Sequence, residues 1–361
     1  LIPLSTVAAM VAAFGIALLV TPFIRKVAIS MGAVDIPNER KIHKEPMPRM
    51  GGLALYLAFV IPVLLIQPLD RPLMGLVAGG SIILVLGLAD DFFGISPSVK
   101  LLGQVIGALV LVFFGVQVDF LTNPFDGMIF LGKLAVPVTI FWVIGITNAV
   151  NLIDGLDGLA SGTSAIAAVT VAVVAMAEGQ VQVGYYALIL AAAVLGFLRY
   201  NFFPAKIFMG DSGSLFLGFN LAALAVMGLT KGATIISLFV PVLILGIPIL
   251  DTFFAILRRY ISGRSIFQAD REHLHHRLLE VGLSHRQAVL VIYALNGILG
   301  ASAILLTRLT TDQGVIILIG IVMLVFLGAD RLGVLRSKSP LKGSSVRTST
   351  ISRVLKKYFS G

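Results

Sequence analysis

Asp90 and Asp91 stand side by side in LGLADDFFG, residues 86–94, at the end of an apolar run long enough to cross most of a bilayer. Two charges at a bilayer centre are costly, so the pair belongs at the membrane surface or in a wet cavity, as a site or as a helix end. A second group lies in NAVNLIDGLDGLASG, 148–162, where Asn151, Asp154 and Asp157 are spaced by three. On a helical turn that spacing puts the three side chains roughly on one face. Capping explains one acid at a helix end, but not two acids and an Asn inside an apolar stretch. In NFFPAKIFMGDSGSLFLG, 201–218, a loop leads through Gly210 and Asp211 into another apolar run. Asp211 or Ser212 is expected to cap that helix, whose free N–H groups favour an anion or support an acid.

Cations complete the set. His273, His275 and His276 lie in GRSIFQADREHLHHRLL, 263–279, with Arg271 and Arg277 beside them. No cysteine and no H-E-x-x-H pattern accompany them, so tetrahedral zinc is a poor match. Imidazole and guanidinium donors facing phosphate fit better, with a merely solvated loop as the plain alternative. HKEPMPRMGG, 43–52, adds His43, Lys44 and Arg49 ahead of a Gly pair. Several carboxylate oxygens favour magnesium or manganese, and the cations suit a phosphate-rich substrate. The residues point to phosphoryl-group chemistry at a bilayer surface.

The elements that must position them are transmembrane helices. The 361 residues are 58% hydrophobic and 12% charged, with mean hydropathy +1.00. Apolar runs recur from end to end, which excludes a soluble domain, and the alternating strands of a barrel are absent. Eleven spans are expected at about 3–22, 51–67, 72–89, 100–116, 134–150, 161–177, 183–199, 213–229, 233–254, 287–307 and 313–329. The opening apolar stretch reads as the first span and not as a cleaved leader, because it lacks a basic leading region. In a soluble protein the net charge of +9 would suggest nucleic acid. Here the cations cluster at 25–49, 258–286 and 331–357, and 23 of the 27 Lys and Arg fall on one side of the expected spans. That bias predicts an outside amino terminus, a cytoplasmic carboxyl terminus and all the site acids on the cytoplasmic face. GVQVDFLTNPFDGMIFLGK, 115–133, reads as a small hairpin cap on the outer side. Residues 1–330 form the integral-membrane domain, and 331–361 form a basic cytoplasmic tail.

PMPRMGG, LGLADDFFG, NLIDGLDG, NFFPAKIFMGDSGS and ADREHLHHR, in this order over about residues 1–330, resemble the polyprenyl-phosphate N-acetylhexosamine-1-phosphate transferases. The resemblance implies an all-α polytopic membrane protein with its active site at the cytoplasmic face of a bacterial inner membrane. It implies Mg2+, or Mn2+, as cofactor. By motif match, Asp91 and Asp211 are the metal-linked acids, and Asp90 deprotonates or positions the lipid phosphate. Asn151, Asp154 and Asp157 match the loop lining the nucleotide site, and Asn201 and Phe208 match positions beside the uridine. Lys100 matches an active-site cation; His273, His275, His276 and Arg277 match the histidine-rich inner loop. The forms PMPRMGG and HLHH, and Gly94 after the Asp pair, resemble the branch that starts teichoic acid, O-antigen and related envelope glycans. The branch using UDP-N-acetylmuramoyl-pentapeptide is the alternative.

The expected reaction is transfer of GlcNAc-1-phosphate from UDP-GlcNAc to undecaprenyl phosphate. The expected partners are those two substrates and the lipid bilayer, with no nucleic acid; a homodimer is left open, as is a covalent aspartyl-phosphate route. A proton-coupled transporter is the reading from another class, but its acids would line a path through the membrane and its halves would repeat. Here the acids gather at one face and no repeat is visible.

Overall fold

The computed structural model describes residues 2–35, 46–122, 128–229, 235–261, 263 and 273–331. Its helices are α1 (Leu4–Ser30), α2 (Gly51–Ile66), α3 (Arg71–Phe93), α4 (Pro97–Phe113), α5 (Ala135–Leu152), α6 (Leu159–Ala177), α7 (Val181–Asn201), α8 (Gly210–Leu229), α9 (Ile235–Ile244), α10 (Gly246–Ile261), α11 (Leu274–Glu280), α12 (His285–Leu306) and α13 (Thr311–Arg331). Eight stretches among the described residues are long and apolar enough to cross a membrane, and α2 and α4 are shorter apolar helices. The protein is an all-α polytopic membrane protein. Large apolar side chains such as Leu19, Leu65, Val85, Phe113 and Phe141 are exposed on the helices' outer faces, as expected where lipid is the solvent.

Local chemistry starts and stops the helices. Asp70 caps α3 by accepting from the Leu73 N–H (2.8 Å), with Pro72 in the first turn, and Gly94 closes it in the left-handed region at φ +63°. Ser96 and Pro97 start α4 in the same way. Small residues let the helices approach: the buried stripe Ala9, Ala13, Ala17 of α1 packs where Gly196 of α7 meets Phe14 and Ala17. α6 and α8 are central, 78% and 83% buried over their spanning stretches, whereas α13 is only 11% buried at the periphery.

Two expected spans differ in the structure. The first continues through Pro22 to Ser30, because the helix carries Arg25 beyond the apolar run, where its Nε donates to the Lys206 carbonyl (2.9 Å). The span at 233–254 is broken between α9 and α10 at Leu245. Pro241 and Pro248 each remove a backbone donor there, which weakens the helix on both sides of the break. The hairpin between α4 and α5 is present as β3 (Phe120–Thr122) paired antiparallel with β4 (Met128–Phe130); its turn signals at 123–127 lie outside the described residues. A second small ladder, β1 (Val34–Asp35) with β2 (Met47–Pro48), was not expected from the sequence. The tail at 332–361 lies outside the described residues.

Candidate active site

The site is built on one helix end. Asp91, in the last turn of α3 and only 3% exposed, accepts from the Asp211 N–H (2.9 Å) and the Ser212 N–H (3.1 Å), one bond to each carboxylate oxygen. The cap of α8 therefore comes from α3 and not from Asp211 or Ser212, whose own hydroxyl donates to the Met209 carbonyl (3.3 Å). Glycine makes the approach possible: a side chain at Gly87 of α3 or Gly52 of α2 would collide with the backbone at Ser212. The PMPRMGG segment braces the same turn. Phe208 N–H donates to the Pro48 carbonyl (2.8 Å), while Gly51 and Gly52 N–H donate to the Phe208 and Met209 carbonyls (3.1 and 2.9 Å). Arg49 Nη2 then reaches the Asp91 carbonyl (2.6 Å), and its Nη1 lies 3.7 Å from Asp35.

This clasp sets Asp90 beside Asp211. The ammonium of Lys100, on the first turn of α4, pairs with Asp211 Oδ2 (2.5 Å) and with Asp90 Oδ2. A divalent cation is implied by the resemblance. Among the described residues no three His, Asp or Glu side chains form a ready ligand set. Two carboxylates converging on one positive charge nevertheless fit magnesium, which takes one or two protein carboxylates and completes its shell with water and substrate phosphate. Asp90 and Asp211 are the pair that converges, whereas both Asp91 oxygens already serve the helix cap.

The opposite wall is the turn between α5 and α6. Asn151 is in the last turn of α5 and donates to Ser214 Oγ (2.8 Å). Because α5 ends at Leu152, Asp154 and Asp157 lie in an irregular turn, and the three side chains do not share a helical face as their spacing suggested. Glycines at 155 and 158, the latter at φ +78°, break the helix there. Asp157 Oδ2 accepts from the Ala205 N–H (2.9 Å), and the Asp157 N–H donates to His285 Nε2 (2.9 Å). Part of Asp154 opens onto the cleft. Its carboxyl is pushed up to about 8 by burial, with the charges of Asp211, Asp91 and Asp157 adding to the effect.

The third wall is α11. His276 reaches the cleft, while His275 and His273 stand behind it, with ring centroids 4.2 Å (276–275) and 5.9 Å (275–273) apart. His275 is buried against Gly155, and burial, with the neighbouring His276 next, pulls its imidazole down to about 3, so it is neutral. His273 is held from α10, where Asp251 meets its Nδ1 and accepts from the Leu274 N–H (both 2.8 Å). Arg277 is buried and pairs with Glu280 (3.5 Å).

Between these walls lies a cleft of about 490 Å³. It brings together Arg49, Asp91, Asn151, Asp154, Asp157, Asn201, Phe208, Asp211 and His276. Asn201 is 2% exposed, and its amide is spent on Ser161 (2.6 Å) and the Ile207 carbonyl (3.0 Å), so it shapes the wall. Asp90 and Lys100 do not line the cleft themselves and reach it through the Lys100 pairing with Asp211. His273, His275 and Arg277 do not line it either, and His43 and Arg271 lie outside the described residues. Sequence reasoning missed Asp35, Phe203 and His285, all lining residues. Asp35 and His285 are isolated residues with no spacing to mark them, and Phe203 lies within the 201–218 segment, where nothing in its type singles it out.

Residues 73–229 match Glycosyl transferase family 4. A probable undecaprenyl-phosphate N-acetylglucosaminyl 1-phosphate transferase of Bacillus subtilis is 44% identical over 323 residues, covering 89% of this chain and 90% of that protein. The chain belongs to glycosyl transferase family 4. A decaprenyl-phosphate N-acetylglucosaminephosphotransferase of Mycolicibacterium smegmatis is 36% identical over 78% of the chain and 77% of its own length. An undecaprenyl-phosphate alpha-N-acetylglucosaminyl 1-phosphate transferase of Yersinia pestis is 29% identical over 79% and 80%. The segment matched to family 4 carries Asp90, Asp91, Lys100, Asn151, Asp154, Asp157 and Asp211. Arg49 and the His276 wall of this family 4 protein fall outside that segment, and the Bacillus subtilis alignment, at 89% of the chain, is long enough to span both.

Proposed function

We propose that this chain transfers GlcNAc-1-phosphate from UDP-GlcNAc to undecaprenyl phosphate, giving undecaprenyl-diphosphate-GlcNAc and UMP, as the first membrane step of teichoic acid or another envelope glycan. One observation carries the reading. In a chain 44% identical to a probable transferase of that description, acids and cations from five separate segments converge on one cleft at the ends of membrane helices. We further propose eleven crossings, with α9 and α10 as two halves of one, the amino terminus outside, and the cleft on the cytoplasmic face of the bacterial inner membrane. The positive-inside bias supports that orientation. Residues 1–330 are the membrane transferase domain and 331–361 a basic cytoplasmic tail.

In the mechanism, a lipid phosphate oxygen attacks the sugar-linked phosphorus of the donor in line. The new P–O bond forms as the bond to UMP breaks, and UMP leaves with the electron pair. Asp211 and Asp90 would hold a magnesium ion, which would supply positive charge against the diphosphate and the departing UMP. Lys100, Arg49 and His276 limit repulsion between the two anionic substrates. A phosphate monoester is largely dianionic near neutrality, so Asp90 orients the nucleophile more than it deprotonates it. Asp91 holds Asp211 in place through the α8 cap.

The test is UMP release and lipid-product formation by purified protein in detergent with UDP-GlcNAc, undecaprenyl phosphate and Mg2+. Activity should vanish with a chelator and return with excess Mg2+. No turnover, together with solute uptake in liposomes, would overturn the reading.

A further inference from the structure

We infer that His285 is a positioning residue for the nucleotide end of the donor, acting through the Asp154–Asp157 turn. The inference rests on the transferase reading above and adds a residue that the motifs do not mark. Three segments meet at its ring. The Asp157 N–H donates to Nε2 at 2.9 Å. Phe203, from the segment after α7, stacks on the imidazole with centroids 4.5 Å apart and planes 27° from parallel. The capping box of Ser284 and Gln287 fixes the start of α12, from which the ring projects.

A backbone N–H can only donate, so Nε2 must accept and the ring is held by direction as well as by contact. His285 and Phe203 both line the cleft, as do Asp154 and Asp157. A shift of this ring therefore displaces cleft-lining groups directly.

His285 is also the first of a series. Tyr293 Oη donates to the Gly158 carbonyl, and Asn296 Nδ2 donates to the Thr163 carbonyl (3.0 Å). By the 3.6-residue period the three side chains lie on one side of α12, and their partners follow one another along 157–163. Gly162 leaves room for the Tyr293 ring, where any side chain would collide. Only Leu283 and its immediate neighbours separate this helix from α11, which carries His276. α12 thus sets the separation of two cleft walls, the Asp154–Asp157 turn and the histidine helix.

The test compares His285→Phe, which keeps a ring against Phe203 but removes the acceptor, with His285→Gln, which keeps an acceptor near Nε2. Full-length protein in detergent is assayed with either substrate varied. His285→Phe should raise the KM for UDP-GlcNAc by up to about tenfold, the upper end of what one hydrogen bond contributes. The KM for undecaprenyl phosphate and the melting temperature should stay near those of the wild type. His285→Gln should recover most of the donor affinity. Calorimetric binding of UMP should follow the same order without needing turnover. Unchanged donor KM and UMP affinity in His285→Phe, or equal losses in both variants, would overturn the inference, as would a joint fall of both affinities and melting temperature. A wild type that binds UMP but does not turn over UDP-GlcNAc would defeat the function reading, and the UMP affinities alone would then decide the role of His285.

Discussion

Asp90, Asp91 and Asp211 are three carboxylates with three different surroundings. Asp91 is buried and accepts two backbone N–H groups, while Asp90 and Asp211 share the Lys100 ammonium. Asp211→Asn should lower kcat by about a hundredfold or more, in the range of losing a positioned transition-state charge, with little change in melting temperature. Asp91→Asn should lower melting temperature as well as turnover, because it removes an acceptor from the α8 cap and leaves an N–H short of a partner. Thermal unfolding in detergent alongside initial rates checks both, and equal stability losses in the two variants would contradict the division of labour. Asp154 predicts a pH effect. Its carboxyl is raised to about 8, so it is neutral below that pH and charged above it. The wild type should lose donor affinity as pH rises through about 8, because a new negative charge then faces an anionic substrate. Asp154→Asn, neutral throughout, should show a flatter donor KM between pH 7 and 9.

The contact between α3 and α8 is where elements decide the chemistry. Gly87 and Gly52 admit the backbone of Ser212 so closely that no side chain fits. Gly87→Ala should push α8 away from α3, lengthen the Asp91 bonds and lower both melting temperature and turnover, whereas alanine at Gly145 of α5, with open space around it, should be tolerated. Parallel measurement of the two variants separates a packing effect from a general intolerance of change. The break between α9 and α10 matters at the same scale. It lets α10 present Asp251 to His273, and so ties the histidine helix to the membrane part of the fold.

Orientation is a property of the whole molecule. The chain has no cysteine, so single cysteines report the side of the membrane without background. In intact cells an impermeant maleimide should label Lys133→Cys, between the β3–β4 hairpin and α5, and should spare Lys206→Cys until the membrane is opened. The reverse pattern would invert the proposed topology.

The helical, membrane-spanning nature of the chain and the segments that meet at the cleft were legible in the residues, because long apolar runs force helices in lipid and isolated acids within them are costly unless they serve a purpose. The hairpin at 120–130 was legible too, from its turn signals. What the linear pattern left undecided was which group each acid faces. The spacing of Asn151, Asp154 and Asp157 is compatible with a helix, but the helix ends at Leu152 and only packing against Ala205 and His285 gives the turn its shape. The cap of α8 comes from a residue 120 positions away, and no local signal marks a partner at that distance. Composition and period belong to short stretches of chain, whereas the pairing of carboxylates with N–H groups, ammonium or imidazole depends on how closely glycines let the helices meet.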